Sequence, residues 1–268
     1  MQRSKNAKLP CNTKTFVPIL SFHKIDSSFE WGVTRLPPER FYRVMQFLKK
    51  QGYQTISLRQ LIKPVNIPQK PIVITFDDSY ASVYNHAFPI MEEFGFTGTI
   101  FVVTDYIGQM NKWDVNLGWL RFKHLDWNQI TELSNAGFEL GSHTKTHPDL
   151  KRIGYNKMVD EIKNSKMDLE QSLGKTVHFI SFPFSRYNET IVNVCLDAGY
   201  LKGCAFWLTQ SERKKETPFV LRTKAYYLFD TIWNLKSKIN QTFWSPVEDI
   251  KLRTVNFLSH GTAIVKSY

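Results

Sequence analysis

With 268 residues, 42% hydrophobic and 22% charged, the chain has the make-up of a folded globular protein, and no apolar run approaches the roughly 20 residues of a membrane span. A membrane-spanning protein is excluded, and the length suits one α/β barrel or two smaller domains. Thirty-five Lys and Arg against 24 Asp and Glu give a formal charge of +11, which favours an anionic glycan, a lipid surface or nucleic acid as partner. The basic residues are scattered, however, with one short run at Arg213-Lys214-Lys215 and no aromatic-and-basic reader motif beside it. A solvated basic surface is therefore favoured, and nucleic acid is not expected.

The first residues, Met1 to Lys8, are positively charged but lack the apolar segment of a signal peptide. Residues 1–15 read as an N-terminal extension and 16–268 as one domain, since no Pro/Gly/Ser-rich linker interrupts the rest. Cys11, Cys195 and Cys204 form no paired spacing, so a reducing, cytoplasmic setting is expected for the chain as given, and an extracytoplasmic one if its amino terminus is truncated.

Strands are expected at Phe16 to Phe22, Pro71 to Phe76, Thr97 to Val103, Phe138 to Ser142, Val177 to Phe182 and Gly203 to Leu208, all rich in β-branched and aromatic residues. Between them, Phe41, Val44, Met45 and Leu48 repeat at helical spacing behind Pro37-Pro38. Met158, Ile162, Leu169 and Leu173 do the same later in the chain. Gly52, Gly95, Gly137, Gly174 and Gly199 stand where helices should end and strands begin, as helix-terminating glycines do. Near-continuous apolar strands alternating with helices predict a parallel sheet covered on both sides. The reading is one irregular (β/α) barrel rather than a doubly wound open sheet. Functional groups should then gather at the carboxyl ends of the strands.

Two polar clusters stand at such positions. The run Ile72 to Phe76 stops at Asp77-Asp78-Ser79-Tyr80, and adjacent carboxylates there need a cation or a shared proton unless they form a surface turn. Phe138 to Leu140 leads into Gly141-Ser142-His143-Thr144-Lys145-Thr146-His147-Pro148, whose two imidazoles can chelate one metal from a tight loop. Either cluster alone is a weak signal. Together, two histidines and one carboxylate make the three-ligand set of a catalytic metal site, and leave one aspartate as a base.

These residues resemble the polysaccharide deacetylases, the family-four carbohydrate esterases. Thr75 to Tyr80 is similar to the family's TFDDGY motif, Ser142 to Pro148 to SHTxxHP, and Ser181 to Asn188 to YPYGxYN. Gly95 to Val102 is similar to the strand after the first helix, and Pro18 to His23 to the PILMYH segment of a circularly rearranged branch. The resemblance runs from about Val17 to about Arg222. It implies a seven-stranded, TIM-like barrel as the catalytic domain. The implied activity is hydrolysis of N-acetyl, or less commonly O-acetyl, groups on an acetylated amino-sugar glycan or saccharide precursor.

The resemblance implies Asp78, His143 and His147 as ligands of a divalent metal, zinc by default, with nickel, cobalt or iron accepting the same donors. It implies Asp77 as general base, the Phe184 backbone N–H after Pro183 as oxyanion donor, and Thr144 near the substrate. It implies His23 as general acid, with His260 in Leu258-Ser259-His260 as the alternative. His86, His124 and His178 read as structural or exposed. Trp113 and Asp114 would line the sugar groove or anchor a loop. Ser79 and Ser185 stand where the family has glycine, and Ser181 where many members have an arginine that steadies the base. Arg222 can replace that arginine or form a surface salt bridge. The serine changes leave a non-catalytic glycan-binding barrel as the alternative function.

Overall fold

The structure, a computed structural model, describes residues 16–28, 33–112, 121–206 and 217–240. In chain order its elements are β1 (Ile19–Phe22), β2 (Lys24–Ile25), β3 (Arg35–Leu36), α1 (Pro38–Lys50), β4 (Gln54–Thr55) and α2 (Leu58–Ile62). There follow β5 (Pro71–Phe76), α3 (Phe88–Glu93), β6 (Thr99–Val102), α4 (Trp127–Asn135), β7 (Glu139–Ser142) and α5 (Tyr155–Leu173). The last are β8 (Phe179–Ser181), α6 (Glu189–Asp197), β9 (Lys202–Phe206), β10 (Val220–Ala225) and α7 (Ile232–Asn240).

Seven parallel strands run β1-β10-β9-β8-β7-β6-β5, and the ring closes where β5 returns to β1 through pairs from Ile19 with Val73 to Phe22 with Phe76. The architecture is the expected (β/α) barrel. The short β4 adds to the start of β5, and β2 pairs with β3 apart from the ring.

Period-two alternation divides the strand side chains between two cores. Ile19, Val73, Phe101, Phe179 and Cys204 fill the barrel, with Ile56 and Leu58 at its floor. Leu20, Ile72, Ile74, Ile100 and Ile180 face outward onto helix residues such as Phe41, Met45, Met91 and Ile162. That double burial is why the strands read as continuous apolar runs. Gly141 is required inside, because a Cβ there would lie 2.5 Å from the Phe101 ring.

Helix α1 buries Phe41, Val44, Met45 and Leu48, and α5 ends on Gly174 at φ 62°, as the spacing predicts. Among the described residues no helix is long and apolar enough to cross a membrane. Cys195 and Cys204 are free and buried.

One of the seven barrel strands is missing from the sequence reading, as are the short β2, β3 and β4. β10 closes the barrel between β9 and β1, yet Val220-Leu221-Arg222-Thr223-Lys224-Ala225 carries polar residues that hide its strand character.

Candidate functional site

β5 delivers the two aspartates. Asp77 continues the barrel pairing, its N–H donating to the Phe22 carbonyl at 2.9 Å, and the chain then turns out through left-handed residues, Asp78 at φ 68° and Ser79 at φ 52°. Such conformations cost about 1–3 kcal/mol each for a residue with a Cβ and persist only where neighbours fix them. Residues 123–125 supply the fixing. Leu125 N–H donates to the Ser79 carbonyl at 2.8 Å, and the buried His124 donates from Nδ1 to the Asp78 carbonyl at 2.7 Å. The His124 ring stacks on Tyr80 at 4.8 Å, which gives this histidine a structural place beside the site. Serine in place of glycine therefore leaves the turn left-handed, and its hydroxyl accepts from Val103 N–H at 3.4 Å.

β7 delivers the histidines. His143 N–H donates to the Val102 carbonyl at 2.7 Å, after which Thr144 at φ 66° and His147 at φ 58° bend the loop back. Thr144 is fully buried and its hydroxyl accepts from His147 N–H at 3.1 Å, so in this structure it closes the loop.

The two loops meet. His143 Nε2 and His147 Nε2 each lie 3.4 Å from Asp78 Oδ1, and all three residues are buried. Their ligand atoms fall within 4.8 Å of one another. Two donors bound at about 2.0–2.1 Å to a tetrahedral ion lie about 3.4 Å apart, the separation seen here. His143 Nδ1 is 2.8 Å from the Ser181 carbonyl. In the neutral imidazole that bond places the proton on Nδ1 and leaves the Nε2 lone pair facing Asp78. Asp78 Oδ1 itself is buried and makes no hydrogen bond. Lone pairs converging on one buried point suit a divalent cation, so the residues fit a metal.

The two aspartates diverge electrostatically. Burial pushes the Asp77 carboxyl above its usual range, against the lowering pull of His143 and His23 and a hydrogen bond from Ser181. Burial also acts to raise Asp78, but His143, His147 and His23 outweigh it and hold that carboxyl well below the usual range. Burial likewise disfavours charge on His143, yet the two carboxylates more than offset it and raise its pKa. Ser181 thus touches both the aspartate and the histidine.

The third motif folds against the same point. Phe184 at φ 56° and Ser185 at φ 55° are both left-handed, with Pro183 buried behind them. The Phe184 ring sits 4.8 Å from that of His147, and the Ser185 hydroxyl accepts from Phe206 N–H at 2.8 Å. Arg186 binds the buried Asp149 at 2.8 Å, tying this motif to the end of the histidine loop, a link the sequence reading missed.

His23, after β1, lies near enough for its charge to act on both aspartates, and its ring is 5.8 Å from that of Phe206. Arg222 lies in β10, opposite Ala205 of β9. His86 is exposed, and His178 lies on the amino-terminal side of the barrel against Arg59. Trp113, Asp114, His260 and the extension 1–15 lie outside the described residues.

Residues 65–202, just over half of the chain, match the family model for polysaccharide deacetylase. This chain belongs to the polysaccharide deacetylase family. It is 29% identical over 191 residues to the protein YxkH of Bacillus subtilis (strain 168), covering 70% of this chain and 63% of that one. It is 26% identical over 163 residues to the poly-beta-1,6-N-acetyl-D-glucosamine N-deacetylase of Staphylococcus epidermidis, covering 56% of this chain and 54% of that one. The chain spans less than two thirds of the length of either curated relative. Among solved structures, a polysaccharide deacetylase from Bacillus cereus is 25% identical, with a TM-score of 0.68 over 83% of this chain and 68% of that one. The Streptococcus pyogenes deacetylase PplD, in complex with acetate, shares the fold at 24% identity and a TM-score of 0.69, covering 83% of this chain and 97% of that one.

Proposed function

We propose that the chain is a metal-dependent deacetylase that hydrolyses N-acetyl groups, or O-acetyl groups, on an acetylated amino-sugar glycan. The observation that carries this reading is the meeting, at one barrel edge, of three buried ligand atoms and a second buried carboxylate whose pKa is displaced the opposite way. Asp78, His143 and His147 would hold the ion. Their donor set suits zinc first, and nickel, cobalt or iron next. A bound divalent ion supplies polarisation of the acetyl carbonyl and a lower pKa for the attacking water.

The remaining work belongs to the chain's own groups. Asp77, with its carboxyl raised by burial, takes the proton of the water as its oxygen bonds to the acetyl carbon. The Phe184 backbone N–H, in its left-handed turn, is assigned to the oxyanion that develops. His23 gives a proton to the leaving nitrogen as the carbon–nitrogen bond breaks. The Staphylococcus epidermidis relative's name supplies the first polymer to test, poly-beta-1,6-N-acetyl-D-glucosamine.

The alternative of a non-catalytic glycan-binding barrel rests on the two serines that replace glycine. Both keep a left-handed φ, which weakens that argument. Acetate release from this polymer and from acetylated chito-oligosaccharides, by wild type, Asp77→Asn and His23→Ala, tests the reading. Zinc-dependent release by wild type and its loss in Asp77→Asn are expected. Stoichiometric zinc with no acetate from any acetylated glycan would favour the binding barrel.

A further inference from the structure

Helix α5 buries Met158, Ile162 and Leu169, and polar residues are buried along with them, among them Glu161, 2% exposed, and Ser165, 0% exposed. A buried carboxylate is stable only where it is fully engaged. Glu161 Oε2 accepts from the backbone N–H groups of Lys145 and Thr146, each at 2.9 Å, and Oε1 accepts from the Thr146 hydroxyl at 2.6 Å. All three donors lie between His143 and His147.

Ser165 works on the same loop. Its hydroxyl donates to the Ile162 carbonyl at 3.2 Å and accepts from the Ser142 hydroxyl at 2.7 Å, whose oxygen in turn accepts from Thr144 N–H at 3.1 Å. With His147 N–H on the Thr144 hydroxyl, every backbone N–H from 144 to 147 is held by a side chain. The loop needs this, because Thr144 and His147 are both left-handed without being glycine. Successive N–H groups gripping one anion form a nest, and here the anion comes from the protein's own neighbouring helix.

We propose that Glu161 is a positioning residue: its carboxylate holds the loop between His143 and His147 in the shape that brings both Nε2 atoms to Asp78, and so sets the affinity of the site for a divalent ion. This rests on the metal-site reading above. Without Glu161, the two amides and the hydroxyl lose their acceptor, and the three-residue span between the two ligands relaxes.

The test is competition for zinc between the full-length chain and a chromogenic chelator, well below the melting temperature of each variant. Glu161→Ala should bind zinc about 10–100-fold more weakly than wild type, the range for changes behind metal ligands. Glu161→Gln keeps an oxygen for the two amides and should lose less. Acetate release by Glu161→Ala should recover at saturating zinc, which a general loss of structure would not allow. Should Glu161→Ala fail to fold, Glu161→Gln and the half-buried Thr146→Val carry the test, each expected to weaken zinc severalfold. Wild-type affinity in the folded Glu161→Ala, or in both substitutes, overturns the proposal while leaving the metal site intact. A wild type that binds no zinc, or a His143→Ala that binds like wild type, overturns the site reading and this proposal together.

Discussion

The two ends of the barrel each hold carboxylates, Asp77 and Asp78 buried at one and Glu139 partly buried at the other, and the protein treats them in opposite ways. At the carboxyl edge, Asp78 faces His143 and His147 and is held well below the usual range despite its burial. At the amino-terminal floor, Glu139 opens β7, which His143 directly follows on the same inward alternation. Burial pushes its carboxyl up to about 7, against hydrogen bonds from Thr99 and the Leu58 and Arg59 backbone and the Arg59 charge. One strand thus carries a floor group that tends to neutrality and a roof group that belongs to a charged cluster. Burial alone does not decide the charge state; the groups that face the carboxyl do. The contrast is repeated within the roof, where Asp77 and Asp78 are neighbours and shift in opposite directions.

The largest expected effect breaks the roof. Asp77→Asn should lower kcat for acetate release by about 10²–10⁴-fold, the usual worth of a general base, while zinc content stays that of wild type. Steady-state kinetics with metal analysis on the same preparation checks both halves.

The floor gives the next largest. Burial raises the folded Glu139 carboxyl to about 7 while the unfolded one keeps the ordinary 4.5, so the unfolded chain releases its proton first. Stability from this group is therefore present below about pH 4.5 and falls as pH rises to 7, by at most about 3 kcal/mol. Glu139→Gln should remove that fall. Urea unfolding of wild type and variant at pH 5 and pH 7.5 reads it, and an unchanged difference between the two proteins would refute it.

The smallest concerns the serines of the roof turns. Ser185→Ala removes the hydroxyl that accepts from Phe206 N–H while keeping the left-handed strain, and should cost about 1–2 kcal/mol. Ser185→Gly loses the same bond but relieves the strain, so it should cost less than alanine. Thermal melts of the pair establish the order.

Much of this was legible in the sequence, for reasons that differ by region. β5 is apolar on nearly all its length and β7 follows Phe138 with Leu140, and they stop at charged or imidazole-bearing turns, so composition and punctuation pointed to the roof without coordinates. The junction glycines marked helix ends, and all five have positive φ. β10 was hidden because a strand rich in polar residues breaks the apolar run that identified the others. Glu161, Ser165 and His124 were hidden because they act on the motifs from separate segments of chain. A signal did exist for the first two: polar residues at positions 161 and 165, beside the apolar face of a long helix, ask for buried partners. The Arg186–Asp149 pair joins two motifs whose sequences give no sign of contact.

The central claim is that adjacent aspartates have different tasks, one at the metal and one at the water. Zinc affinity of Asp77→Asn and Asp78→Asn, measured side by side in the full-length chain, tests it most directly. The account predicts near wild-type affinity for Asp77→Asn and a loss of about 10-fold or more for Asp78→Asn. Equal losses in the two variants, or the larger loss in Asp77→Asn, would contradict it.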